Sequence, residues 1–160
     1  MSCTIDQLSL HRYTEKDKED LAAFRLPDEQ ARFTALPLEV LEADEGKHPI
    51  VITYGQKPVG FFVLHTSERV KDYSDNPQAI LLTALSINHI EQGKGYAKKA
   101  MLLLQDFVQN EFPEYNEVIL AVNHKNIPAQ KLYEKVGFRD TGRRREGIIG
   151  EQYIYELAVV

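Results

Sequence analysis

Residues 80–97 read ILLTALSINHIEQGKGYA, and this stretch decides the fold. Its first half, Ile80 to Ile87, is an apolar run that predicts a buried strand, and Tyr96 to Val108 has the apolar spacing of a helix. The turn between them contains Gly93 and Gly95. A glycine-rich turn that opens a helix leaves several backbone N–H groups without intrahelical partners, and these donors and the helix dipole favour phosphate. The turn therefore predicts a phosphate-bearing ligand.

The turn matches neither common nucleotide-binding pattern. A Walker motif has four residues between its first glycine and its Gly-Lys-Ser/Thr end, and no stretch of the chain supplies that spacing. A dinucleotide fingerprint needs a third small residue at position 98, where this chain has Lys98. From the turn alone, a tight entry into a helix with a solvated lysine is an equal alternative to an anion site.

A second motif occupies residues 118–138, VILAVNHKNIPAQKLYEKVGF. Val118 to Val122 predicts a buried strand. Asn126 is placed to cap the next helix, and Pro128 falls in the first turn, where a missing N–H has little effect. Gly137 supplies a left-handed end to that helix. The predicted order is therefore a strand, an Asn-rich turn, a short helix and another strand.

Together these motifs resemble those of the GCN5-related N-acetyltransferases, the GNAT family. The acyl-CoA signature of that family, Arg/Gln-x-x-Gly-x-Gly/Ala, is matched by Gln92, Gly95 and Ala97. Its second signature is matched in order by Asn123, Asn126, Ala129, Leu132, Tyr133, Gly137 and Phe138. The resemblance covers residues 80–138, about half of the chain.

The resemblance implies the fold and the position of the ligand. It implies an α/β (α+β) GNAT-like single domain over residues 1–160, with a central mixed, mostly antiparallel sheet and about four flanking helices. Strands 4 and 5 of such a sheet are parallel and splay apart, and acyl-CoA enters the gap between them. Fold alone does not determine function, so the site residues need separate argument.

By resemblance, the fourth strand pairs with the pantetheine arm and supplies a backbone N–H to the oxyanion, from the segment Leu85, Ser86 and Ile87. The pyrophosphate would lie on the turn formed by Gln92, Gly93, Lys94, Gly95, Tyr96, Ala97 and Lys98. The resemblance also places Asn123 and Asn126 beside the cofactor, although a helix cap is an alternative role for Asn126.

Tyr133 is the predicted catalytic residue, because the catalytic tyrosine of the family occupies this place before Gly-Phe. It would protonate the departing thiolate or position the thiol, and a core tyrosine is the alternative. No Ser-His-Asp or Cys-His set is apparent, so we expect direct attack in a ternary complex. Ile80 to Ile87 contains no acid, which leaves water, Glu29, Glu39 or the loop residue His89 as the base.

Composition limits the remaining possibilities. No apolar run approaches the roughly 20 residues that span a bilayer, and no signal peptide is evident, which predicts a cytoplasmic protein without membrane partners. One cysteine, Cys3, excludes an internal disulfide, and the histidines show no metal-ligand spacing, so no metal is expected.

The net charge of −5 is concentrated near the N-terminus. Residues 1–50 hold 11 acidic and 6 basic side chains, whereas residues 51–160 hold 13 of each. This balance argues against nucleic acid as a partner and mildly favours a cationic acceptor, with a solvated acidic surface as the alternative.

The sequence therefore predicts an acetyl-CoA-dependent N-acetyltransferase that acts on a primary amine of a small molecule or peptide. The alternative is a non-catalytic acyl-CoA-binding or sensing module, and a homodimer is possible by resemblance.

Outside the two motifs, the pattern predicts a first strand (Ile5 to Leu10), a helix capped by Thr14 (Glu15 to Leu26), a broken helix (Asp28 to Gly46), a hairpin (Ile50 to Tyr54 and Pro58 to Leu64), an exposed turn (Glu68 to Pro77) and a final strand pair (Phe138 to Arg143 and Gln152 to Leu157).

Overall fold

The computed structural model describes residues 3–5, 7–26 and 45–159. In this part of the chain eight strands form one sheet: β1 (Cys3–Ile5), β2 (Leu8–Arg12), β3 (Lys47–Tyr54), β4 (Lys57–His65), β5 (Ala79–Ile87), β6 (Glu117–Asn123), β7 (Arg139–Gly147) and β8 (Gly150–Ala158). Three α-helices accompany them: α1 (Lys18–Ala22), α2 (Tyr96–Glu111) and α3 (Ile127–Lys135). Short 3₁₀ turns lie at Glu15–Asp17, Glu68–Asp72 and His89–Glu91.

The strands lie in the order β1-β2-β3-β4-β5-β6-β8-β7. Every neighbouring pair is antiparallel except β5 and β6, which are parallel. The parallel pair needs a long crossover, and α2 supplies it because it connects the end of β5 to the start of β6. The predicted mixed, mostly antiparallel α/β architecture is confirmed.

The parallel strands separate after one short paired segment. They pair at Ala79 with Glu117, at Ile80 with Val118 and at Leu81 with Ile119. Beyond Leu81 and Ile119 no residue of β5 pairs with a residue of β6, so a gap opens between the two strands towards their carboxyl ends. These are strands 4 and 5 of the sequence prediction, and their predicted splay is confirmed.

A β-bulge lies in β5 beside this gap. Phe61 of β4 is opposite Ser86, and Val63 is opposite Thr83, so two residues of β5 face the single intervening residue of β4. One of the two, Ala84, has a φ of 61°, in the left-handed region. For a residue other than glycine this conformation costs roughly 1–2 kcal/mol, and such outliers concentrate at functional sites.

Side chains alternate between the two faces of the sheet, and different elements cover each face. The face that we call the helical face packs against α2 and α3; its core includes Ile80, Leu82, Leu120 and Tyr155. On the other face, Leu81 and Ile119 pack under the 3₁₀ turn at Glu68–Asp72, through Val70 and Tyr73, and α1 covers the neighbouring part of the sheet. We call this second face the opposite face.

Several local predictions are confirmed. The β3–β4 hairpin turns through Gly55 and Gln56, and Gly55 has a φ of 64°. The side chain of Asn126 caps α3 by accepting a hydrogen bond from the N–H of Ala129 at 3.3 Å. Gly137 follows the end of α3 with a φ of 109°, the left-handed conformation that its position requires.

Other predicted elements differ in extent. The predicted first strand is two short strands, because the chain reverses at Gln7, where φ is 71°. The first helix ends at Ala22 instead of Leu26. The residues that follow leave the helix to bond the loop after β5: the N–H of Arg25 donates to the side chain of Asn88, and the N–H of His89 donates to the carbonyl of Arg25.

The prediction of an exposed turn at Glu68 to Pro77 was wrong in part, because Val70, Tyr73 and Ser74 are buried against the opposite face. The final hairpin is longer than predicted and is closed by Ile148 and Ile149 alone. The predicted broken helix, apart from its last two residues, lies outside the described residues.

Candidate active site

The gap between β5 and β6 contains a cavity of about 1430 Å³. This exceeds the roughly 300–1,000 Å³ of an ordinary small-molecule site and therefore suits an extended ligand. On the helical face its walls include Leu120, Ala129 and Tyr133. On the opposite face they include Tyr73 and Ala121. The cavity thus passes through the sheet, which is possible because the two strands are not hydrogen-bonded there.

The glycine-rich turn forms one end of the cavity. Gly93 and Gly95 have φ values of 82° and 80°. A Cβ added at either glycine would meet no atom within 4 Å, so the space in front of the turn is open. Gly95 is also the N-cap of the 16-residue helix α2, whose first turn has no acidic side chain. The free N–H groups of that turn therefore present a positive, accessible site for a phosphate group.

Two interactions hold this turn in place. The side-chain amide of Gln92 donates to the carbonyl of Ile87 at 2.9 Å, which ties the turn back to the end of β5. The buried carboxylate of Glu91 bonds Lys94 at 2.8 Å and Lys57 at 3.3 Å. The hydrogen bond from Lys94 lowers the pKa of the Glu91 carboxyl, so this group is ionised at neutral pH. Sequence reasoning did not identify Glu91, because its burial and its bond to Lys57 at the start of β4 depend on the tertiary structure.

Nearly all of the predicted site residues line the cavity. They are Leu85, Ser86, Ile87, Gln92, Gly93, Gly95, Tyr96, Ala97, Lys98, Asn123, Asn126 and Tyr133. Lys94 is the exception, and its ammonium group is bonded to Glu91. Asn123 is held by its side chain, which donates to the carbonyl of Ile149 at 3.2 Å and accepts from the N–H of Lys125 at 2.9 Å.

Tyr133 is a wall residue of the cavity on the helical face. Its ring packs edge-on against Phe138, with the centroids 5.4 Å apart, and the residue is only 8% exposed. The hydroxyl forms no hydrogen bond with any described residue, and no fully buried side-chain N or O atom of the described chain lacks a partner. The hydroxyl therefore reaches the cavity. Burial raises the pKa of Tyr133 and keeps the phenol protonated.

A polar pair, the buried His65 and the half-buried Thr83, lies on the opposite face beside the bulge. Nε2 of His65 is 2.8 Å from Oγ1 of Thr83, and Thr83 lines the cavity. Burial lowers the pKa of His65 to about 4, with smaller contributions from Arg69, Lys47 and His48. Sequence reasoning missed His65, which lies in an apolar strand 18 residues from its partner. Of the bases considered from sequence, His89 is exposed, and Glu29 and Glu39 lie outside the described residues.

Residues 11–138 match the family described as the acetyltransferase (GNAT) family. The chain belongs to the GNAT family. This confirms the resemblance seen in the two motifs. As a GNAT protein the chain is an N-acetyltransferase, and its acyl donor is acetyl-CoA.

Individual relatives agree with this assignment. An uncharacterized N-acetyltransferase of Bacillus subtilis (strain 168), YbbJ, is 51% identical over 151 residues, which cover 92% of this chain and 94% of that protein. A GNAT-family acetyltransferase from Bacillus anthracis has a similar structure, with a TM-score of 0.73, 17% identity and coverage of 99% and 98% of the two chains. The aminoglycoside acetyltransferase AAC(6')-Ib, solved with coenzyme A and kanamycin, gives a TM-score of 0.74 at 19% identity and covers 94% of each chain. At these identities the structural matches show the shared fold.

No group of three or more His, Cys, Asp or Glu side chains in residues 3–5, 7–26 and 45–159 is arranged to hold a metal ion. No helix in the same ranges is long and apolar enough to cross a bilayer.

Proposed function

We propose that this GNAT protein transfers the acetyl group of acetyl-CoA to a primary amine of a small molecule or peptide, by direct attack within a ternary complex. We further propose that residues 1–160 act as one domain, because strands from both ends of the chain join one sheet. The observation that carries the proposal is the cavity, which joins an anion-binding turn on one side to the opposite face of the sheet. Both substrates can then meet inside the gap.

The donor fits the glycine-rich turn. Its pyrophosphate is accommodated by the N–H groups at the start of α2, where Gly93 and Gly95 leave open space. Beyond Leu81, β5 does not pair with β6, so its backbone edge at Leu85 to Ile87 is available to the amide groups of the pantetheine arm. An extended ligand that pairs with a strand edge in this way gains both affinity and a defined direction.

The bulge in β5 is suited to stabilise the tetrahedral intermediate. At the bulge, Ala84 and Leu85 together face one residue of β4, so the hydrogen-bond ladder between the two strands is interrupted. A bulge leaves backbone groups unpaired and changes the direction in which they point. A backbone N–H directed into the cavity would stabilise the negative oxygen that develops as the amine attacks. We assign the oxyanion donor to this segment, within or next to the predicted stretch from Leu85 to Ile87.

The chemical step then needs one proton donor and one proton acceptor. The neutral amine nitrogen attacks the thioester carbonyl carbon, and a C–N bond forms. The C–S bond breaks, the thiolate takes a proton from the Tyr133 hydroxyl, and the nitrogen loses a proton to water in the cavity. Tyr133 then recovers its proton from solvent. The products are the N-acetylated amine and CoA.

The apolar surroundings of Tyr133 are compatible with this role. Burial raises the pKa of the phenol, which makes it a weaker acid than in water. The same surroundings disfavour a thiolate and raise the pKa of the leaving thiol as well. The phenol therefore stays protonated until a thiolate develops beside it, and it then supplies the hydrogen bond or proton that the leaving group needs.

An amine panel assayed with acetyl-CoA tests the proposal. We expect CoA release to depend on at least one amine, with the matching acetamide identified by mass spectrometry. One structural relative is an aminoglycoside acetyltransferase, which supports an amine as the acceptor here. Tight CoA binding without turnover of any amine would instead indicate an acyl-CoA-binding or sensing module. Cytoplasmic residence, a homodimer and a cationic acceptor stay predictions from the sequence.

A further inference from the structure

The cavity has a polar wall on the opposite face, away from the phosphate turn. Its charged and aromatic members come from the 3₁₀ turn Glu68–Asp72 with Tyr73 behind it, and from the β7–β8 hairpin. We call this surface, formed by Arg69, Asp72, Tyr73, Thr83 and Arg145, the acceptor wall. The proposed function places the acceptor on this side, because the donor pyrophosphate lies at α2 on the helical face.

Arg145 is held rigidly in the acceptor wall. Its guanidinium carbon lies 4.3 Å from the centroid of the Tyr73 ring. One nitrogen, Nη1, donates to the Tyr73 hydroxyl at 2.7 Å and to Oε1 of Gln152 at 3.1 Å. Nε and Nη2 have no hydrogen-bond partner among the described residues. An arginine has five N–H donors in a planar fork, so the side chain retains donors in a fixed orientation.

Arg69 is the second cation of the wall. Its side chain makes no hydrogen bond or ion pair with any residue in the described part of the chain, although its charge lowers the pKa of nearby His65. Three other arginines of the described chain are ion-paired. Arg12, Arg139 and Arg144 each pair with a carboxylate outside the cavity, with Glu111, Glu156 and Asp140 respectively. The two arginines that line the cavity have no carboxylate partner in the described chain.

The acidic residues of the cavity do not neutralise these arginines. Asp72 and Glu146 also line the cavity, but neither forms an ion pair with Arg69 or Arg145 among the described contacts. The third acid, Glu91, lies at the phosphate turn and is bonded to Lys57 and Lys94. The acceptor wall therefore offers two guanidinium groups and the carboxylate of Asp72 to a ligand, and Glu146 adds a second carboxylate to the cavity lining.

We propose that the acceptor is a small molecule that carries a carboxylate together with its amine, in the manner of a free amino acid. This inference rests on the proposed function and specifies its acceptor. Arg145 and Arg69 bind the carboxylate by charge-assisted hydrogen bonds, the geometry for which the guanidinium fork is suited. Asp72 attracts the ammonium form of the amine to the wall before deprotonation. Such an acceptor is a zwitterion. It shares its ammonium group with the cationic acceptor predicted from sequence, but it also carries a carboxylate.

The arginines are poorly placed to serve the phosphates of CoA. The free N–H groups at the start of α2 lie with the helix on the helical face, whereas Tyr73, the stacking partner of Arg145, belongs to the core of the opposite face. If Arg145 and Arg69 bound the phosphates of CoA instead, substitution of these arginines would weaken CoA binding.

Matched acceptor pairs test the proposal. The probes are free L-amino acids and the corresponding amino acid amides, in which a neutral amide replaces the carboxylate, assayed by CoA release with saturating acetyl-CoA and compared per neutral amine. We expect kcat/KM to be at least about tenfold higher for the acids. Arg145→Gln and Arg69→Gln should each lower kcat/KM for the acids by about tenfold or more, mainly through KM, and leave that for the amides nearly unchanged.

Arg144→Gln is the matched control, because Arg144 is the neighbouring residue but bonds Asp140 and stacks on Tyr153 outside the cavity. It should leave the preference for acids intact. Thermal unfolding checks that each variant is folded, and Arg145→Lys, which keeps the charge and loses the fork, should retain part of the preference. Calorimetric titration of the wild-type protein with amino acids, in the presence of CoA, measures the affinity for the acceptor without any variant.

The outcomes separate the two proposals. Equal or better turnover of amides, or of polyamines, would overturn the carboxylate-bearing acceptor and leave the acetyltransferase standing. A loss of CoA affinity in the arginine variants, with the acid preference unchanged, would overturn it in favour of a phosphate role. If no amine of any charge is acetylated, the proposed function fails and this inference fails with it.

Discussion

The imidazole of His65 is buried and lies 2.8 Å from the hydroxyl of Thr83, at the point where β5 begins its bulge. Burial lowers the pKa of His65 from 6.5 to about 4, so the folded protein holds this ring neutral. The unfolded chain binds the proton more readily. His65 therefore makes its full contribution to stability above about pH 6.5 and loses it as the pH falls towards 4.

The first prediction is an acid-sensitive stability that depends on His65. Between pH 7.5 and pH 5 the free energy of unfolding of the wild-type protein should fall by about 2 kcal/mol through this residue. Urea unfolding at the two pH values measures the change. In His65→Gln the fall should be clearly smaller, because the amide does not titrate.

Between pH 7.5 and pH 5 most of the shifted groups other than histidines keep one charge state. Glu117 is an exception: burial raises the pKa of its carboxyl, so its contribution to stability is greater at the lower pH and opposes that of His65. Glu91, Asp140 and Glu156 have carboxyl groups whose pKa is lowered, so their contributions are lost only below the ordinary range of carboxyl groups. His48 acts in the same direction as His65, since burial lowers its pKa too, and His48→Gln measures its share. A wild-type protein that is equally stable at both pH values would contradict the prediction.

The second prediction concerns the phosphate turn. Gly95→Glu places a side chain and a negative charge in the open space before α2, so CoA affinity should fall by at least about tenfold, or roughly 1.4 kcal/mol. Gly55→Glu is a matched control. Gly55 also has a positive φ and open space around its Cβ position, but it lies in the β3–β4 turn and does not line the cavity.

The two variants share the backbone strain and the added charge, so they should lose similar amounts of stability. Only Gly95→Glu should weaken CoA binding in a calorimetric titration. CoA affinity at the wild-type level in both variants would remove the turn from the binding site, whereas an equal loss in both would point to a general effect of charge or strain.

The third prediction separates two lysines that look alike in the sequence. Lys98 lines the cavity, whereas Lys94 is bonded to the buried carboxylate of Glu91. Lys98→Ala should therefore weaken CoA binding by several-fold and reduce its salt dependence, because a phosphate contact is lost. Lys94→Ala should affect CoA binding less and stability more. If Lys94→Ala instead weakened CoA binding more than Lys98→Ala does, Lys94 would leave Glu91 when the donor binds.

Local sequence signals were sufficient for the parts of the site that are local in the chain. Gly95 before α2, Asn126 at the start of α3 and Gly137 at its end each act through backbone conformation or a hydrogen bond spanning a few residues. Such interactions are encoded by residue type and spacing. The two motifs therefore predicted most of the residues that line the helical face of the cavity.

The opposite face could not be predicted in this way. Arg145 bonds Tyr73 across 72 residues of sequence, and His65 bonds Thr83 from a neighbouring strand. Neither pair has a spacing that marks it, because sheet register brings the partners together. Val70 and Tyr73 were misassigned to an exposed turn for the same reason: their burial comes from contact with Leu81 and Ile119.

The last prediction concerns Tyr133, whose buried ring packs on Phe138 while its hydroxyl forms no hydrogen bond with the described residues. Tyr133→Phe keeps the ring contact, so the free energy of unfolding should change little. Loss of a general acid typically lowers the rate by about 10² to 10⁴, and kcat should fall within that range while CoA affinity moves much less. Stopped-flow acetyl transfer and calorimetry together measure both quantities. A collapse of CoA affinity with kcat nearly unchanged would make Tyr133 a binding residue, and no change in either, with chemistry rate-limiting, would make it a core tyrosine.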